Sequence, residues 1–233
     1  EDRIHDELIR ELDDIRLGEL LSKHLGTENI VINHDVEMAA VAEAVELADS
    51  NANEVYYLFI GDGIGGAFIK DGKIYSGSNN RAGNLGQFFL RCDNDEEYNL
   101  ESIASVPSII GRITSAIGNG AGRKENDSLD FVEILKLYNE GEEVVVKNFN
   151  GVLKTISRVL YNIVWFTDPA RVIVGSNYRE FSKIVCEYAS AYINRILDQR
   201  KSMNIEICVS KYDENSALIG LFETVLNRWI ETV

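Results

Sequence analysis

The chain has 233 residues and a formal net charge of −15, from 23 Lys and Arg against 38 Asp and Glu. Phosphate backbones are held by clustered basic side chains, so this balance argues against direct nucleic-acid binding by this piece. Hydrophobic residues make up 45 % and charged residues 26 %, enough for a real core, yet no apolar run is long enough to span a bilayer and none reads as a signal peptide. Three scattered cysteines, Cys92, Cys186 and Cys208, suit a reducing cytoplasm better than a disulfide framework.

In chain order, apolar positions at helical spacing (Ile4, Leu8, Leu12, Ile15, Leu20, Leu21) predict a helix over 2–25, ended by Gly26. Residues 29–33 (NIVIN) read as a short buried strand. Asp35 is placed to cap a helix over 36–48, with Glu37 in its first turn. Strands are predicted from 54 to about 91, with a turn at Asp71-Gly72. The pattern then becomes helical over 102–117, 129–138 and 142–166, where Pro169 stops it. A strand over 171–175, a helix over 179–199, a strand over 204–210 and a helix over 215–232 follow. The glycine- and charge-rich stretch 118–130 reads as a surface loop. Alternating strands and helices predict an α/β class with a mixed sheet.

Four blocks carry possible chemistry. The first is Asn33-His34-Asp35-Val36-Glu37-Met38-Ala39-Ala40, the second Gly61-Asp62-Gly63-Ile64-Gly65-Gly66. The third is Ala82-Gly83-Asn84-Leu85-Gly86-Gln87, and the fourth runs from Cys92 to Glu101. Glycines between two strands let a backbone approach a ligand closely, although any tight hairpin uses them too. Asp35 can be read as a helix cap or as a proton acceptor, and an N-cap aspartate can serve both roles.

In order and spacing these blocks resemble the signature blocks of the ROK family (repressor, open reading frame, kinase), which comprises sugar kinases and sugar-sensing repressors. The resemblance runs from about Leu8 to Gly220 and implies an actin-like ATPase (ribonuclease H-like) fold with mixed sheets flanked by helices. It implies a truncated first lobe, with residues 1–50 its remnant. Residues 51–233 would form the second lobe, with dimerisation helices and a C-terminal helix returning towards the first. The family's Asp-x-Gly-Gly-Thr hairpin, which grips phosphate, has no counterpart here.

Residue by residue, the resemblance makes Asp35 the match of the general base. His34 and Glu37 stand where the family has asparagines. Gly61, Asp62, Gly63 and Gly65 match the phosphate-facing turn, but Asp62 replaces a threonine. Two unit charges ~4 Å apart at an effective dielectric of ~20 repel by roughly 4 kcal/mol, so Asp62 opposes ATP phosphates; binding Mg²⁺ is its minor alternative. Asn84 and Gln87 replace the sugar-binding Glu and His, and Glu101 matches a second sugar-binding glutamate. Only Cys92 matches a zinc-ligating cysteine. Asn94 and Asn99 occupy two other ligand positions and Gln87 the histidine's, so zinc is expected to be absent. The acidic run 93–97 reads as solvated rather than as a calcium site. Matches to the adenosine-binding blocks, Gly175-Ser176 and Ala217 to Leu221, are partial and read better as packing.

The implied protein is the non-catalytic effector-binding and dimerisation domain of a cytoplasmic sugar-responsive regulator. It would bind a sugar or sugar phosphate weakly at His34, Asp35, Glu37, Asn84, Gln87 and Glu101, use no cofactor, and reach DNA only through an upstream domain. A divergent ROK sugar kinase using ATP and Mg²⁺ is the alternative. A scaffold that binds no sugar is the third reading. The apolar surplus on 152–166 and 188–197 implies a homodimer.

Overall fold

The computed structural model describes residues 15–46, 54–91, 97–121, 129–199, 204–212 and 215–232. Its centre is a five-stranded mixed sheet in the order β3-β2-β1-β6-β7. The strands are β1 (Glu54–Ile60), β2 (Ile64–Lys70), β3 (Lys73–Ile74), β6 (Arg171–Gly175) and β7 (Glu206–Val209). β1 pairs antiparallel with β2 and parallel with β6, and β6 pairs parallel with β7. Two further strands, β4 (Phe89–Arg91) and β5 (Glu97–Asn99), form a separate antiparallel ribbon.

Side chains of a strand alternate between faces, and β1 shows how that divides the core. Tyr56, Leu58 and Ile60 join a large cluster on one face, while Val55 and Tyr57 join a smaller one on the other. β6 repeats the split, with Val172 and Val174 on the large side and Ile173 on the small side. Burial on both faces explains why 171–175 reads as an uninterrupted apolar run.

The large cluster is closed by α3 (Leu100–Ala104), α4 (Val106–Ala121), α5 (Phe131–Asn139), α6 (Glu143–Thr167) and α7 (Arg179–Gln199). Phe131 of α5 stacks edge-on against Phe181 of α7, with centroids 5.1 Å apart, and joins these helices at the core. The helix ends follow local chemistry. Asp130 caps α5 by accepting the Glu133 N–H at 2.7 Å, and Asn99 caps α3 by accepting the Ser102 N–H at 2.9 Å. α6 stops at Asp168, in the left-handed region with φ 45°, just before Pro169.

The small cluster is covered by α2 (Asp35–Glu46), and α8 (Ser216–Thr232) packs against α2. That contact is backbone to backbone, since a Cβ on Gly220 would fall 1.7 Å from the Met38 carbonyl oxygen. Beside it Glu43, only 5 % exposed, ties α2 to the segment between β7 and α8: its Oε1 accepts from the Ser210 hydroxyl and from the Lys211 N–H at 2.8 Å. Gly220, in the partially matching block Ala217 to Leu221, is thus a helix-packing position in this chain. Gly175 is similar, for a Cβ there would collide with the Tyr57 ring hydroxyl.

The fold corrects several local expectations. Residues 29–33 form no strand, and Ile32 is exposed. A strand needs a neighbour for its ladder, and among the described residues none lies beside this segment. Asp35 is the first residue of α2 rather than its cap; its Oδ1 accepts from the Val36 N–H at 2.8 Å. The helix expected over 102–117 is two helices, α3 and α4, separated by extended Ser105. α1 covers Leu17–Leu25, ending at Gly26 as expected, but the 2–14 part of the predicted helix lies outside the described residues. The same holds for 47–48 of the helix over 36–48, for most of the loop over 118–130, and for Cys92 and Asn94 with most of the acidic run.

Candidate functional site

The site is assembled where α2 begins. Its first turn lies on the β1–β2 hairpin, because Gly65 has no side chain: a Cβ there would fall 2.9 Å from Val36 Cγ2. A loop after β3 folds back along the same edge. Gly66 donates its N–H to the Gly83 carbonyl at 2.8 Å, and Gly83 takes a φ of 88°. A Cβ on Gly83 would sit 1.9 Å from the Gly66 oxygen, so only glycine fits on both counts. Ser76 ties the loop to α2 by donating its hydroxyl to Glu37 Oε1 at 3.3 Å.

Between these elements lies a cleft of about 1080 Å³. It is lined by His34, Asp35 and Glu37 around the start of α2, by Gly65 of β2, and by Gly83 and Asn84 of the loop. Asn84 precedes the 3-10 turn Leu85–Gln87 without using its side chain as a cap, which leaves the amide facing solvent. Sequence reasoning missed further lining groups: Arg16 and Glu19 of the N-terminal segment, and Asn79, Asn80 and Arg81 of the loop. The usable signal was the run Ser76 to Arg81, whose turn-forming residues directly precede the Ala82-Gly83 block.

The remaining candidates lie elsewhere. Glu101 does not line the cleft. Its Oε2 accepts from the Ile64 N–H at 2.8 Å, and Gly63 and Gly86 pack against the same oxygen. Gln87 is exposed and also outside the cleft. Gly61, Asp62 and Gly63 form the three-residue tip of the β1–β2 hairpin, closed by Gly61 N–H to Gly63 carbonyl at 2.9 Å, with Asp62 exposed. Of Gly61, Gly63, Gly65 and Gly66, none takes a positive φ. Close packing, not left-handed backbone, is what requires glycine at 65 and 66: a Cβ on Gly66 would meet the Tyr56 hydroxyl at 2.5 Å.

The arrangement can accept hydrogen bonds from a polyhydroxylated ligand at Asp35 and donate them from the loop amides. It is a poor zinc site on the positions that are described. Asn99 Oδ1 is committed to its cap bond and Gln87 offers an amide, where zinc takes thiolate or imidazole. Among the described residues no group of three or more His, Cys, Asp or Glu is placed to hold a metal ion, and no helix is long and apolar enough to cross a membrane. Burial pushes the Cys186 thiol up to about 12 and the Cys208 thiol up to about 11, so neither is poised as a nucleophile.

Comparison with known proteins agrees with this architecture. The chain is 27 % identical over 150 residues to the xylose repressor of Staphylococcus xylosus, covering 63 % of this chain and 37 % of the repressor. It is 26 % identical over 192 residues to the N-acetyl-D-glucosamine kinase of Photobacterium profundum, covering 77 % of this chain and 63 % of the kinase. The chain therefore spans between about a third and two-thirds of the length of these curated relatives. The crystal structure of the ROK hexokinase from Thermus thermophilus superposes with a TM-score of 0.74 at 20 % identity, over 94 % of this chain and 74 % of that one. This likeness establishes an actin-like ATPase fold of the α/β class. The sequence model of the ROK family matches residues 4–228, and the chain belongs to the ROK family.

Proposed function

We propose that this chain is the sugar-binding and dimerisation domain of a ROK transcriptional regulator and does not itself transfer phosphate. The observation that carries this reading is Asp62, an exposed carboxylate at the tip of the glycine turn. An anion there opposes the approach of a nucleotide polyphosphate. The cleft walls supply carboxylate and amide partners for sugar hydroxyls. The similarity to the xylose repressor supports an effector-binding role. In this reading residues 1–50 are a remnant of the first lobe and 51–233 the second. The domain dimerises, contacts DNA only through an upstream domain, and carries neither zinc nor nucleotide.

A divergent ATP-dependent sugar kinase is the second reading. It is favoured by Asp35 standing at the start of α2 within the cleft, and by the similarity to N-acetyl-D-glucosamine kinases. A coupled assay on the full-length protein with ATP, Mg²⁺ and a panel of hexoses and N-acetylated hexosamines separates the two. The regulator reading expects no turnover; rates of ~1–100 s⁻¹ would establish the kinase instead.

A further inference from the structure

We infer that the ligand of this cleft is an anionic sugar, a sugar phosphate or a uronate, and that Arg81 receives its negative group. The inference rests on the sugar-binding reading and adds to it the class of sugar.

The cleft lining carries both acceptors and donors. Glu19, Asp35 and Glu37 are acceptors of hydroxyl hydrogen bonds. The loop after β3 adds Asn79, Asn80 and Arg81, whose side chains donate. The two cations of the cleft are in different states. Arg16 is engaged by Glu19 through a short ion pair. Arg81 lines the cleft with no hydrogen-bond or ion-pair partner for its guanidinium among the described residues. A neutral sugar would leave that fork of donors idle, whereas a phosphate or carboxylate fits it bidentately.

Arg81 is also held in place. Its carbonyl accepts from the Asn84 N–H at 3.4 Å, and the next residue, Ala82, donates to the Ser76 carbonyl at 3.1 Å. Asn80 adopts a left-handed φ of 52°, and Gly83 is locked over Gly66. The loop backbone is thus fixed before any ligand arrives, which lowers the entropy cost of the contact. The cleft also holds Glu19, Asp35 and Glu37, and with Arg16 paired to Glu19 the Arg81 guanidinium is, among the described residues, the cation left to receive an anionic group there.

The test is calorimetry on the full chain with glucose and N-acetylglucosamine, each free and 6-phosphorylated, with glucuronic acid, and with inorganic phosphate alone. The expected result is that a phosphorylated sugar or the uronate binds about tenfold or more tightly than its neutral parent, the size of a charge-assisted hydrogen bond. Arg81→Gln should collapse that ratio to near one, with an unchanged melting temperature as the control for folding. The 6-phosphates and the uronate tell phosphate recognition from carboxylate recognition. Equal affinity for neutral and charged forms, or a ratio that survives Arg81→Gln, overturns the inference and leaves the sugar-binding reading standing. Binding of inorganic phosphate without any sugar, or of no probe at all, overturns both.

Discussion

The carboxylate of Glu101 accepts the backbone N–H of Ile64 at 2.8 Å, linking the first turn of α3 to the start of β2 across 37 residues of sequence. The glycine hairpin and the 3-10 turn that follows Asn84 both rest on this one side chain, since Gly63 and Gly86 each pack against Oε2. Glu101→Ala should therefore lower stability by ~1–3 kcal/mol, the cost of a poorly solvated donor left without its acceptor. Thermal denaturation would show a fall of roughly 2–10 °C. Sugar affinity, read by calorimetry, should fall with it because the turn bearing Asn84 loosens. A melting temperature unchanged from wild type would show that Ile64 finds another acceptor.

Asp35 allows charge to be separated from helix initiation. Asp35→Asn keeps an oxygen able to accept the Val36 N–H but removes the negative charge in the cleft. Stability should change by less than about 0.5 kcal/mol. Affinity for a bound sugar should drop about fivefold, since a hydrogen bond to a charged group contributes ~1.5–3 kcal/mol against ~1 for a neutral one. Unchanged affinity in both Asp35→Asn and Glu101→Ala would place sugar binding elsewhere and favour the scaffold reading.

Two helical glycines should respond in opposite directions. Gly151 lies in α6 with open space where a Cβ would go, so Gly151→Ala should stabilise by roughly 0.5–1 kcal/mol through lower backbone entropy in the unfolded chain. Gly220→Ala forces α2 and α8 apart and should cost ~1–3 kcal/mol or more. Chemical denaturation of both variants, with equal m-values, provides the comparison. A stable Gly220→Ala protein would contradict the close helix contact.

The cysteines predict a pH dependence. Burial raises Cys186 to about 12 and Cys208 to about 11, whereas in the unfolded chain a thiol ionises near its ordinary value of about 9. The folded state therefore holds protons that the unfolded state has lost. Stability from these groups is intact below about pH 9 and declines as pH rises from there towards 11 and 12. Urea melts between pH 8 and 11 should show the fall, and a Cys186→Ala, Cys208→Ala double variant should flatten it. At pH 8 neither thiol should react with a disulfide reagent until the protein is unfolded.

Elemental analysis of purified protein should find no stoichiometric zinc, given the amides at 87 and 99 and the cap bond that occupies Asn99. About one zinc per chain would mean that the segment from Cys92 to Glu101 is built differently.

Much of the architecture is legible from local pattern. α7 spans Arg179–Gln199, the range that its apolar spacing gives, and the Asp71-Gly72 turn adopts φ values of 52° and 71°, as a tight hairpin requires. Residues 29–33 mislead because β-branched composition favours a strand only where a partner strand supplies the ladder. The site is less legible. Asp35, Glu37 and Asn84 meet in one cleft, but a motif cannot say that Glu101 turns towards a backbone N–H 37 residues away. Nor can it show that Asn79 to Arg81 come alongside α2, because that follows from the fit of Gly83 over Gly66.

The union of α2 and α8 at Gly220 has a mechanical meaning. Most helix interfaces absorb a small displacement by letting side chains change rotamer, but here backbone meets backbone and no side chain intervenes at the crossing. Glu43 also ties α2 to the segment leading into α8, through Ser210 and Lys211. The two helices are therefore expected to behave as a single lever. Its short arm begins at Asp35 in the cleft, and its long arm presents Leu218, Phe222 and Val225 to the outside. A tilt of α2 by a fraction of an ångström has no soft layer in which to dissipate, and so emerges as motion of that outer face.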